Sequence, residues 1–221
     1  LFIVLAALFL AFSRGAWISF LVSTAMMVAL TFILTPVART RSRIILITIF
    51  GVIGLAVLLA MLLSVEGVRD LFLDRFTLVK DYDSGEKGRF GNQLNSIHLL
   101  LEQPLGFGPL YFHKIFGQDP HNVYINAFAS YGWLGGISYC LLMISTIMIG
   151  FKTILMRTPW QNWAIVVFCP LVATIFQGVQ IDTDHWRHFY WMLGMMWGLF
   201  AASTAYVARQ QRVLSLSETR C

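Results

Sequence analysis

The sequence predicts an all-α fold, a polytopic transmembrane helix bundle with amphipathic helices in one long aqueous loop. Three observations carry that expectation. Hydrophobic residues fill 57% of the 221 positions and charged ones 12%, with a mean hydropathy of +0.70, too apolar a balance for a water-soluble domain. Five stretches, 15–38, 44–65, 122–151, 158–181 and 188–208, lack Asp, Glu, Lys and Arg altogether, and each is as long as the roughly 20 residues a helix needs to cross the hydrocarbon core. Basic residues alternate in step with those stretches.

In chain order, residues 1–12 are apolar but too short to span, and lack a basic leader; they are expected to be the end of a truncated transmembrane helix. Residues 13–65 hold two spans, 66–120 the loop, 121–208 three spans and 209–221 a cytoplasmic tail. Arg39, Arg41 and Arg43, then Lys152 and Arg157, then Arg209, Arg212 and Arg220 all fall on one side. That side carries eight basic residues against one acid, Glu218, whereas the 55-residue loop carries six against eight. Short cytoplasmic segments are enriched in Lys and Arg, so the loop is expected on the opposite face. The net charge of +5 is a topology signal, and no nucleic-acid partner is expected.

Within the loop, Val68, Leu71, Phe72, Phe76 and Val79 recur at helical spacing among charged residues, as in a helix lying on a bilayer. Residues 81–88 form a polar link. Leu94, Ile97 and Leu101 mark a second helix from about Arg89 to Gln103, ended by Pro104, and Gly106-Phe-Gly108-Pro109 is a turn. Cys140, Cys169 and Cys221 give neither a disulfide nor a zinc framework. Gly194 and Gly198 have the spacing of a close helix contact. Trp160, Trp163, Trp186 and Trp191 suit the membrane interfaces.

Candidate chemistry gathers at span starts. Ser13 suits the N-cap of the first full span, Asp119-Pro120 the cap and first position of the span with His121 and Asn122 in its first turn, and Asp182-Thr183-Asp184 the cap of the last. Free N–H groups and the positive dipole end make such termini anion sites; with Arg14, Arg89 and Arg187 they would form a diphosphate site. Spacing alone favours Arg14 as a snorkelling residue beside Trp17, and Arg89 is equally a solvated charge. His121 is the best candidate for proton transfer, since imidazole accepts a proton near neutrality, with an interfacial cap as the alternative. His98 and His113 lack companions and read as structural. Asp182, Asp184, His185 and His188 are ordinary metal-ligand types, but their spacing matches no tight metal motif, and a cap with interfacial histidines suits it better.

The ordered set Ser13-Arg14-Gly15-Ala16-Trp17, Gly88-Arg89, Glu102-x-Pro104-Leu-Gly106-Phe-Gly108, Pro120-His121-Asn122-Val-Tyr124 and Tyr131-Gly132-Trp-Leu-Gly135 resembles the O-antigen ligase and polymerase family of bacterial envelope glycan enzymes. The resemblance implies a GT-C-like membrane glycosyltransferase in the inner membrane, with its active face periplasmic. Such an enzyme moves a glycan from an undecaprenyl-diphosphate carrier to a hydroxyl on lipid A-core, as a ligase, or on another glycan repeat, as a polymerase. It also implies that Arg14 and Arg89 hold the diphosphate, that His121 is the general base, and that neither metal nor cofactor is needed. Asn122, Asp184 and Arg187 form a second tier. A lipid-linked glycan transporter and a non-catalytic scaffold are the competing classes; charges gathered at span ends, away from the midplane, count against transport.

Overall fold

The computed structural model describes residues 2–76 and 89–218, and among them the chain is helical without a strand. The helices are α1 (Phe2–Leu10), α2 (Arg14–Leu34), α3 (Ala38–Leu63), α4 (Glu66–Phe76), α5 (Arg89–Glu102), α6 (Phe112–Phe116), α7 (Val123–Leu155), α8 (Gln161–Gln177) and α9 (Arg187–Glu218). Val79 and the polar link 81–88 lie outside the described residues.

Four helices, α2, α3, α7 and α9, are long and apolar enough to cross a membrane. The fifth expected span, 158–181, is realised as the 17-residue α8. At 1.5 Å per residue it is about 25 Å long, at the short end of spanning helices. Its shortness has a structural setting: α8 is the core of the bundle. Ala164, Ile165, Val167, Phe168, Cys169 and the run Leu171 to Ile175 are all buried, and α2, α7 and α9 pack around them. Gly150 of α7 allows this closeness, since a Cβ there would stand 2.4 Å from the Phe168 ring.

The outer helices are apolar toward lipid. Neither α2 nor α3 has a buried residue, as expected where lipid replaces the hydrophobic core as the apolar solvent. In α9 the inward stripe is Phe189, Met196 and Ser203, each 0% exposed. Gly194 and Gly198 lie off that stripe, with nothing within 4 Å of an added Cβ, so the expected close contact is not made among the described residues.

The loop helices dock on the bundle. Phe72 of α4 stacks on Trp17 with centroids 5.2 Å apart, setting α4 against the start of α2. In α5 the usual amphipathic rule is inverted: Asn92, Gln93, Ser96 and Leu100 are buried, while Leu94, Ile97 and Leu101 are exposed. The polar side is inward because it meets bare carbonyls: Gln93 Nε2 donates to Pro120 O at 2.7 Å and Asn92 Nδ2 to Phe116 O at 3.5 Å.

The turn after α5 is spliced into α7. Gly132 breaks that helix at φ 68°, ψ −168°, freeing backbone groups that hydrocarbon cannot satisfy. Ala129 O accepts from Phe107 N at 2.6 Å and Gly108 N at 3.2 Å, and Trp133 N donates to Pro104 O at 2.9 Å. The fit requires glycine on both sides. A Cβ on Gly106 would meet Ala129 O at 2.7 Å, and one on Gly132 would meet Pro104 O at 2.5 Å.

Candidate functional site

The start of α7 is built by Asn122. Its backbone is extended, and its Oδ1 accepts from Tyr124 N at 3.0 Å and Ile125 N at 3.2 Å. Asn122 is therefore the N-cap, in place of the expected Asp119-Pro120 pair; an Asn side chain satisfies two amides there, while Asp119 lies 3.7 Å from His113. The α7 terminus is also closed as a backbone anion site, contrary to expectation. Val123 N donates to Gly178 O at 2.8 Å and Asn126 N to Asn122 O at 2.9 Å, so its first amides are all engaged.

His121 stands just outside the helix with φ 45°, a left-handed conformation uncommon for a residue with a Cβ. It projects back to the α8–α9 loop, where its Nδ1 lies 3.5 Å from Asp182 Oδ2. The His121 side chain is 48% exposed and that of Asp182 18%, so the imidazole is reachable and its partner is shielded. Among the described residues, Asp182 Oδ1 is buried without a hydrogen-bond partner. Burial pushes the Asp182 carboxyl above the usual range, Asp184 and Asp119 push the same way, and His121 and the Asn122 backbone N–H oppose them.

Beneath this pair, Asn126 Nδ2 donates to Asp184 Oδ2 at 3.0 Å and Ser130 Oγ to Asn126 Oδ1 at 3.2 Å. Asp182 and Asp184 thus face α7 instead of capping α9. His185 Nδ1 lies 3.5 Å from Asp184 and His188 stacks on Trp186. The described residues hold no group of three His, Cys, Asp or Glu placed to share a metal ion.

The other anticipated residues reach the same end of the bundle by different routes. Ser13 caps α2 as expected, accepting from Ala16 N at 3.4 Å. Ser19 Oγ donates to Gln177 Oε1 at 2.9 Å, and Gln177 Nε2 lies 3.1 Å from where a Gly15 Cβ would be. Arg14 is therefore the first residue of a helix docked beside Gly178, which bonds to the start of α7. Arg89 opens α5 one turn before Gln93, whose amide grips the carbonyl preceding His121. Arg187, exposed, opens α9 just after Trp186, whose N–H donates to Thr183 O at 3.1 Å. The expected convergence of three helix starts on one end holds as backbone geometry.

Asp182 and Gln93 are the residues that sequence reasoning passed over. Asp182 was visible as a capping acid and as one of four metal-ligand types, with nothing to pair it with His121. Gln93 carried no signal, since its role depends on a carbonyl that another segment presents.

Fold and site together define a multi-pass helical membrane protein with a histidine–carboxylate pair where its helix starts meet. The chain belongs to the O-antigen ligase family, whose model matches residues 1–140. The matched part runs from α1 into α7 and includes Arg14, Arg89 and His121, whereas Asp182 lies beyond it. No curated protein and no solved structure matches the chain.

Proposed function

We propose that this protein is a membrane glycosyltransferase of the O-antigen ligase type, moving a glycan from an undecaprenyl-diphosphate carrier to a hydroxyl of lipid A-core on the periplasmic face of the inner membrane. The observation that carries the reading is the His121–Asp182 contact. A partly exposed imidazole whose Nδ1 sits 3.5 Å from a shielded carboxylate is the arrangement of an oriented general base.

In the step proposed, the acceptor hydroxyl attacks the anomeric carbon as His121 Nε2 takes its proton. The bond from that carbon to the diphosphate oxygen breaks, and the carrier diphosphate leaves with the electron pair. Fixed cations stabilise charge developing on such a leaving group. Arg14 and Arg89 supply them in this reading, since guanidinium forks match phosphate oxygens, and no metal is required. Asn122 holds the turn that aims His121, Asp184 braces α7 through Asn126, and Arg187 adds positive charge at the rim. The sidedness rests on Arg39, Arg41, Arg43, Lys152 and Arg157 at the other end of the spans.

A glycan-repeat polymerase uses the same donor and base and differs only in acceptor. Reconstitution of the full-length protein in liposomes, with lipid-linked donor and either lipid A-core or a second glycan repeat, tests the reading. Transfer to lipid A-core that disappears in His121→Ala is expected. Transfer only to the repeat would make it a polymerase, and undiminished transfer by the variant would remove His121 from the mechanism.

A further inference from the structure

The loop between α3 and α7 is uneven in charge. Residues 66–89 hold eleven Asp, Glu, Lys and Arg, whereas residues 90–112 hold one, Glu102. Within the second stretch α5 has a buried side and a divided free side. Asn92, Gln93, Ser96 and Leu100 are buried against the bundle; Leu94, Ile97 and Leu101 form one exposed stripe, and Asn95, His98 and Glu102 another. At 3.6 residues per turn the two exposed stripes are about 100° apart.

A helix whose free side is part apolar and part polar suits the plane where water meets lipid. The apolar stripe continues past the helix, with Leu105 90% and Leu110 86% exposed. It also merges with the lipid-facing side of α7: Ile97 and Leu101 line one groove with Ile137, a turn from Leu134, which is 82% exposed. The depth follows from α7. Lys152 is its only charged residue, and Trp133 stands 19 residues earlier. At 1.5 Å per residue that is about 28 Å, close to the roughly 30 Å of a hydrocarbon core. Trp133 therefore marks the boundary at the other end of the span, and its Nε1 donates to Leu100 O at 2.9 Å, which holds the end of α5 at that level. In the turn that follows, Phe107 N and Gly108 N are both taken by Ala129 O, as contact with hydrocarbon demands.

We infer that residues 94–110 are a monolayer anchor. Their apolar stripe is seated among the acyl chains of the leaflet on the side where α7 begins, while Asn95, His98 and Glu102 face the water above it. The occupant is bulk lipid, because a protein laid over α5 would meet both exposed stripes, whereas a bilayer meets only the one continuous with α7. Glu102, beside Leu101, keeps the segment at the boundary and out of the midplane, where a charge is costly. Gln93 on the buried side holds Pro120 O, so the anchor sets the height of His121 over the membrane. The assignment stands apart from the transfer reaction proposed above.

The full-length protein in vesicles of phosphatidylethanolamine and phosphatidylglycerol is treated in parallel with a phospholipid carrying a diazirine in its acyl chain and with hydroxyl radicals. Modified residues are read by mass spectrometry. Acyl label on Leu94, Ile97, Leu101, Leu105 and Leu110 at the level of Leu134 is expected, with radical modification of His98 but not of Leu105 or Leu110. Leu101→Glu combined with Leu105→Glu, both at exposed positions, should abolish acyl label over 94–110 and open Leu110 to radicals. Label on Ile47 and Phe50 of α3 should persist in that variant, showing that the bundle is still inserted. In the parent protein, radical modification of Leu105 and Leu110 without acyl label would place the segment in water. Protection from both reagents would place it under protein, and acyl label removed by a stoichiometric amount of polyprenyl diphosphate would make it a specific lipid site. Each of these results would overturn the anchor.

Discussion

His121 Nδ1 and Asp182 Oδ2 lie 3.5 Å apart, joining the approach to α7 with the turn that follows α8. The contact orients the imidazole through one of its two nitrogens. Loss of a general base costs about 10²–10⁴-fold in rate. His121→Ala should therefore lose glycan transfer by that factor, while membrane insertion and the thermal midpoint in detergent stay as in the parent.

Asp182 acts through His121 and is a positioning residue in this scheme. Asp182→Asn should lower kcat roughly tenfold, a part of the general-base factor, with KM for the donor unchanged, and Asp182→Glu should recover some of the loss. A rise in KM with kcat intact would mean that Asp182 touches substrate instead.

The buried carboxyl of Asp182 also gives stability a pH dependence of definite sign. Its folded pKa is raised, chiefly by burial, above the ordinary value of about 3.9, so the folded chain holds that proton more tightly than the unfolded chain. Stability from this group is full below about pH 4 and is lost as pH climbs to the raised value, with no further loss above it. Asp184, Asp119 and His121 all act on the same carboxyl. In thermal-shift measurements the midpoint of Asp182→Asn minus that of the parent should grow with pH across this window. A difference that shrinks would contradict the burial argument.

Gly106 and Gly132 both have positive φ, 73° and 68°, and each faces backbone of the other's segment. Gly106→Ala or Gly132→Ala should destabilise the protein by about 1–3 kcal/mol from backbone strain, with added cost from overpacking. Gly194→Ala, with open space around it, serves as the neutral control in the same melt.

Arg14→Ala should raise KM for the diphosphate-linked donor about 10–100-fold, as expected for one hydrogen bond to a charged group at roughly 1.5–3 kcal/mol. Arg14→Lys should recover only part, because an ammonium lacks the guanidinium fork. An unchanged donor KM would reassign Arg14 to the membrane interface.

The features legible in the sequence are those fixed by local pattern or solvent. Charge-free runs gave the long helices, Ser13 gave its cap, and the spacing of Leu94, Ile97 and Leu101 gave α5. The direction in which α5 faces was not legible, because the same periodicity serves a helix packed inward in water and one turned outward to lipid. Asn122 displaced Asp119 as the cap because the left-handed His121 after Pro120 delays the helix by three residues. The break at Gly132 and the His121–Asp182 contact depend on segments remote in sequence, and no window of neighbouring residues contains them. His121 itself was found by residue type and family motif, whereas its partner required the fold.

The exchange of backbone hydrogen bonds between 104–108 and the break in α7 has a consequence for dissecting this protein. Hydropathy draws a line near residue 121, with a water-facing insert before it and membrane helices after it. The bonding network draws its line elsewhere: Ala129 and Trp133, on either side of the break in α7, bond to the turn after α5. Excising the insert and bridging its ends with a linker would leave Ala129 and Trp133 with bare polar groups in a nonpolar setting, and the insert expressed alone would lose Ala129 O and Trp133 N, the partners of Phe107, Gly108 and Pro104. A piece moved between proteins therefore has to keep the start of α5 through Trp133 together, and with it the α8–α9 turn to which His121, Val123 and Asn126 are joined.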